Sequence, residues 1–209
     1  MIGETLLAFL VTSLIIEITP GPNMAYLATL SLTSSRQAGF AAVAGIALGL
    51  TVSAVTAAIG LAVIIENSPL IYETLRWGGV AYLLYLAWEG WRREKDATNP
   101  AAQATQPPRV AFSRALIVNM LNPKAAVFYI AVLPDIVDPQ RGLVMQQTLT
   151  LSAIYVAIAT SVHFSIVLLA GLIRGRLDSP ERRQNARRVL ALALAGIAIW
   201  FAFSTRRAG

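Results

Sequence analysis

Residues 18–24 read ITPGPNM, in the middle of an apolar stretch that runs from about Thr5 to Thr33. Proline lacks a backbone donor and collides with the preceding turn, so two prolines around a glycine end a helix. Here they fall where a hydrophobic helix of that length would be most deeply buried. Far along the chain the segment NMLNPKAA (119–126) repeats the oddity, inside a second apolar stretch from Phe112 to Leu133. The first stretch has its midpoint at Thr19, and the second between Asn122 and Pro123.

Composition sets the solvent. Of 209 residues, 56% are hydrophobic and 13% charged, and the mean hydropathy is +0.61. Soluble domains carry about 25% charged residues, so this is the composition of an integral membrane protein in a lipid bilayer. Six apolar segments, at about 5–33, 38–65, 69–91, 112–133, 143–173 and 188–204, are of the length a spanning helix needs, roughly 20 residues. The fold expected is all-α with six transmembrane helices. There is no cysteine, which excludes thiol catalysis, disulfides and thiolate-held metals. The first positive residue is Arg36, whereas a signal peptide opens on positive charge; the first segment is expected to be a retained span.

The net charge of +6 is spread over the short breaks between apolar segments. That distribution is a topology signal rather than a nucleic-acid surface, and no nucleic-acid partner is expected. Twelve lysines and arginines fall in the first, third and fifth breaks, four on the other side, and Lys124 inside a span. Positive residues stay cytoplasmic, so both termini are expected outside the cytoplasm, in a bacterial-type inner membrane.

The longest break, REKDATNPAAQATQPPR (93–109), is rich in Pro, Ala, Gln and Thr and reads as a flexible linker. It divides the chain into a first three-helix unit (1–91), a cytoplasmic linker (92–111) and a second three-helix unit (112–209). Three spans per half make the halves inverted repeats, an architecture of secondary transporters. The first and fourth helices are then the ones broken at mid-membrane.

Each break is chemically equipped to restart a helix. Asn122 is a good N-cap with Pro123 in the first turn, and Gly21 with Pro22 plays the same part. A helix N-terminus at mid-depth offers unpaired N–H groups and partial positive charge, a ready place for a carboxylate. Either motif taken singly is compatible with an ordinary proline kink. What favours a site is that the two match in position and each has an ionisable neighbour, Glu17 and Lys124, where a charge costs about 2.5–3.5 kcal/mol. Lys124 suits a substrate carboxylate, and Glu17 an ammonium group or a proton. A direct Glu17–Lys124 pair is the plain alternative. Asn23, Asn119 and Asn122 add uncharged hydrogen-bonding groups.

Two further features are open to more than one reading. His163, the one histidine, lies within the fifth span and suits either a proton relay or a hydrogen bond to a neighbouring helix. The small-xxx-small pattern Gly45–Gly49 permits close helix packing, inside the bundle or between copies in a homo-oligomer.

The segments ITPGPNMAYL, AGFAAVAGIALGL, RWGGVAYLLYLAWEGWR and FSRALIVNMLNPKAAVFYIAVLPDIV, in this order, resemble the LysE/RhtB family of small amino-acid exporters. The resemblance implies a six-helix inner-membrane antiporter that exports amino acids or close derivatives on the proton-motive force. It implies that Pro20, Gly21, Pro22, Asn23, Asn122, Pro123 and Lys124 belong to the functional core. Many members carry a polar residue after the span-two glycines, whereas Leu50 follows Gly49 here, which leaves Glu17 as the candidate for proton coupling.

The function expected is therefore secondary export of a neutral amino acid of the threonine, homoserine or leucine type, without a cofactor or metal. A membrane-embedded enzyme is the alternative, but no nucleophile-and-base or metal-binding motif is present. A passive channel needs a polar stripe along whole helices, whereas the polar groups here cluster at mid-depth.

Overall fold

The computed structural model describes residues 2–19, 21–60, 69–95, 106–138, 140, 142–174 and 180–204. Its elements are helical: α1 (Ile2–Ile18), α2 (Pro22–Thr33), α3 (Arg36–Ala58), α4 (Pro69–Lys95), α5 (Pro108–Met120) and α6 (Pro123–Val127). A π-helical turn (Phe128–Val132), α7 (Val144–Arg174) and α8 (Pro180–Ser204) follow. No strand occurs among the described residues.

Local chemistry sets the boundaries. The Ser35 side chain accepts the Ala38 N–H at 3.1 Å and starts α3, as an N-cap serine should. Gly21, in extended conformation, caps α2 with Pro22 in its first turn. Asn122 caps α6, its side chain accepting the Lys124 N–H at 3.0 Å. Both expected breaks are therefore present, and α1 and α2 meet at 55°. α5 begins at Pro108 and α8 at Pro180, earlier than the apolar runs suggested. Proline at a first turn needs no hydrogen bond, so these helices extend through polar sequence before their apolar parts. α4 runs to Lys95, and residues 96–105 of the expected linker lie outside the described residues.

α3 is the centre of the bundle, packed on α5, α7 and α2. α4 lies against α8, α2 also touches α8, and α1 rests on α7. The α3–α5 approach is close because of Gly45 and Gly49. A Cβ on Gly45 would run into the Phe112 carbonyl oxygen, and one on Gly49 would lie 2.5 Å from Asn119 Nδ2. This glycine pair thus works inside the bundle. The core holds Tyr26, Leu27, Ile46, Leu50, Ala111, Ala115, Tyr155 and Ala159, whereas Leu7, Ile15, Leu169, Leu172, Leu192 and Phe203 face outward. So much exposed apolar surface belongs against lipid.

Among the described residues, α3 and the Val144–Leu172 part of α7 are long and apolar enough to cross a bilayer, and the bent α1–α2 pair makes a third candidate. α4 and α8 are 27 and 25 residues long, but α4 carries charges at both ends and the first third of α8 is rich in arginine.

Candidate functional site

The two breaks meet. Lys124, the second residue of α6, reaches across to the end of α1, where its ammonium donates to the Thr19 carbonyl at 2.9 Å. The last carbonyls of a helix lack intrahelical partners and carry partial negative charge, so a cation is well placed there. Between the breaks lies a small cavity walled by Glu17, Gly21, Asn23, Asn122, Lys124 and Tyr155, with Met24, Leu50 and Ala125 completing it. Its volume is about 10 Å³, room for about one water molecule. In this conformation the site is contracted, and anything larger than a water molecule would need the surrounding helices to part.

The N-termini of α2 and α6 are not equivalent. The Asn122 side chain already takes an N–H of α6, whereas Gly21 offers α2 no side-chain cap. Asn23 and Met24, the first residues of α2 with amide protons, wall the cavity. The freer anion-binding end is thus that of α2, facing the Lys124 ammonium.

Glu17 is buried and held from α7. Tyr155 donates to its Oε1 at 2.5 Å, and His163 Nε2 lies 3.5 Å from Oε2, at ion-pair distance but outside hydrogen-bond geometry. Phe128 stacks on the Tyr155 ring at 3.5 Å and 12°, fixing the phenol. The π turn directs the neighbouring Tyr129 hydroxyl to the Leu50 carbonyl at 3.0 Å; such turns are common at functional sites. The plain alternative of a direct Glu17–Lys124 pair is replaced by two separately held charges on one cavity.

The expected residues are therefore largely gathered. Asn23 Nδ2 donates to Asn119 Oδ1 at 2.8 Å, joining α2 to α5, and Asn119 acts behind the cavity wall rather than in it. Pro22 is buried in the first turn of α2. Pro123 opens α6. Pro20 lies outside the described residues. Tyr155 is the residue that the sequence reading missed. The signal for it was the spacing Ser152, Tyr155, His163 along one side of a hydrophobic helix.

The sequence has counterparts among known proteins. The sequence model of the LysE type translocator family matches residues 14–205. The homoserine/homoserine lactone efflux protein of Salmonella typhimurium is 30% identical over 182 residues, 87% of this chain and 88% of that protein. The protein of the same name from Salmonella typhi is 29% identical over the same shares. An uncharacterized membrane protein of Vibrio cholerae is 27% identical over 175 residues, 84% of this chain and 85% of its own. No solved structure matches. With the family's sequence pattern matched over nearly its whole length, the chain belongs to the LysE type translocators.

Proposed function

We propose that the chain is a secondary active exporter of neutral amino acids or close derivatives, of the homoserine or threonine type, driven by the proton-motive force. The observation that carries this reading is the placement of Glu17 and Lys124 on one small cavity, each held by a partner that a substrate can replace. A substrate carboxylate takes the Lys124 ammonium from the Thr19 carbonyl and docks at the N-terminus of α2. The substrate ammonium takes Glu17, and Asn23 Oδ1, which has no partner among the described residues, is an acceptor beside it. A carboxylate outcompetes a neutral carbonyl for an ammonium, so loading loosens the tie between the breaks. Proton binding at Glu17 on the outer side then releases the amine and resets the carrier.

This reading keeps six spans as two inverted repeats, with both termini outside and the breaks at mid-depth. The names of the Salmonella relatives support homoserine and its lactone as first substrates to try. The test is efflux of radiolabelled homoserine and threonine from preloaded cells expressing the chain, alongside Lys124→Ala and Glu17→Gln. Saturable efflux lost in both variants, with protein still in the membrane, supports the reading. Efflux equal to that of empty cells rules out this substrate class, and undiminished export after collapse of the proton gradient rules out the coupling.

A further inference from the structure

Hydroxyls in membrane helices ordinarily settle on the carbonyl four residues back, and most here do. Thr29, Thr51, Ser161 and Ser165 bond to Ala25, Ala47, Ala157 and Ser161 at 2.8 Å. Ser13 of α1 and Ser152 of α7 do not. Both are buried to within 1% of full exclusion, and neither hydroxyl has a hydrogen-bond partner among the described residues. His163 is buried as deeply, and neither ring nitrogen has a hydrogen-bond partner among the described residues. A structural histidine normally has one ring N–H tied down, and orphaned buried polar groups call for an explanation.

Ser13, Ser152 and His163 share one seam, whereas the other unbonded buried groups among the described residues, on Ser31, Asn23 and Asn119, belong to α2 and α5. The inward face of α7 carries Thr148, Ser152, Tyr155, Ala159 and His163 at spacings of three or four, and α1 meets it with Phe9, Ser13 and Glu17 at a spacing of four. From Thr148 to His163 the face spans about 22 Å at 1.5 Å per residue, most of a hydrocarbon core of about 30 Å. A purely structural α1–α7 contact would be better served by alanine or leucine at these positions. The substrate cavity touches the seam at Glu17 and Tyr155, while Ser13, Ser152 and His163 stand apart from it.

We infer that the α1–α7 seam is a proton path, separate from the substrate's route and joined to it at Glu17. On the orientation proposed above, protons enter past Ser152 and Ser13, reach Glu17, and leave through His163 toward the cytoplasm. The protonated Glu17 carboxyl passes its proton to His163 Nε2, giving a carboxylate and an imidazolium. The imidazolium releases its Nδ1 proton toward the cytoplasm, leaving the Nε2–H tautomer, and a proton exchange between the ring nitrogens restores the Nδ1–H form before the next turn. Glu17 is then free to take a substrate ammonium, and because one carboxylate cannot hold both, the two fluxes are opposed. Tyr155 and His163 from α7, Lys124 from α6 and Tyr129 from the π turn face Glu17 and feel its charge. The inference rests on the exporter reading for the direction of flow alone.

The experiment uses the full chain in liposomes, with a pH dye inside and labelled homoserine. Homoserine-coupled proton movement and homoserine–homoserine exchange are measured separately. Replacing an unbonded hydroxyl by an apolar group should leave the fold intact, so Ser152→Val complements His163→Gln. The expected result is a fall in proton movement of at least about tenfold in both variants. Exchange continues in Ser152→Val and is less reduced than proton movement in His163→Gln. Unaltered proton movement in both, or exchange lost in step with it, overturns the path. If the wild type exchanges no amino acid, the exporter reading fails, and infrared pH titration decides the path on its own. A protonated-carboxyl band that vanishes in Glu17→Gln and moves in His163→Gln supports it; a band unmoved in His163→Gln and Ser152→Val overturns it.

Discussion

The Lys124 ammonium is bonded to the Thr19 carbonyl at 2.9 Å, so the restarted helix α6 is fastened to the broken end of α1. The contact neutralises two awkward groups together, a cation inside an apolar stretch and a helix-end carbonyl without an intrahelical partner. It also places the cation beside the amides that open α2, where a carboxylate would be drawn. A tie of this kind is stable until a better acceptor arrives.

Homoserine has a carboxylate and its lactone does not, which makes the pair a probe of Lys124. Removing a charge-assisted hydrogen bond costs about 1.5–3 kcal/mol, or roughly 10–100-fold at 1.4 kcal/mol per decade. Lys124→Ala should lower homoserine export by that order and lactone export much less, measured as initial efflux rates at subsaturating load. Equal losses for both would mean that Lys124 serves as a tie between helices and does not bind the carboxylate.

The close α3–α5 approach predicts a stability order among glycines. Alanine at Gly45 must push against the Phe112 backbone, and overpacking of this kind costs about 1–3 kcal/mol. Gly171 and Gly196 have nothing among the described residues within 4 Å of an added Cβ, and helical alanine there gains about 0.5–1 kcal/mol. Thermal unfolding in detergent should therefore rank Gly45→Ala below wild type and Gly171→Ala and Gly196→Ala at or above it. A Gly45→Ala protein as stable as wild type would contradict this packing.

Asn122 holds the start of α6 through the Lys124 N–H, and the loss of such a cap costs about 0.5–2 kcal/mol. Asn122→Ala should lower stability by that amount and impair export as well, because the same turn positions Lys124. Serine caps nearly as well, so Asn122→Ser should recover most of the stability. If the serine variant is as unstable as the alanine one, the side chain matters for something other than capping.

Both breaks were legible because their signals are local: a glycine or asparagine cap followed by proline announces a restart whatever surrounds it. The inward stripe of α7 was present in the spacing of Ser152, Tyr155 and His163, but a tyrosine in an apolar span looks like packing until its hydroxyl is seen to meet Glu17. The contacts Lys124–Thr19 and Asn23–Asn119 join residues about a hundred positions apart. They depend on how each helix is rotated and on which helix packs against α3; the Gly45–Gly49 pattern signals a close approach but does not name α5 as its partner. The π turn at Phe128–Val132 has no sequence mark; it is fixed by the aromatic packing of Phe128, Tyr129 and Tyr155.

The topology can be tested directly because the chain has no cysteine of its own. Twelve of the seventeen basic residues lie in the first, third and fifth breaks, and the orientation proposed from them would put Gln37 near the cytoplasmic surface and Gln140 on the opposite side. Both are exposed, so Gln37→Cys and Gln140→Cys should disturb little. A membrane-impermeant maleimide added to intact spheroplasts should label Gln140→Cys and leave Gln37→Cys unlabelled until the membrane is opened. The reverse pattern would invert the whole chain and with it the direction of proton flow along α7. Labelling of both from one side would mean an odd number of spans missing or added between them, and the inverted-repeat arrangement would fall.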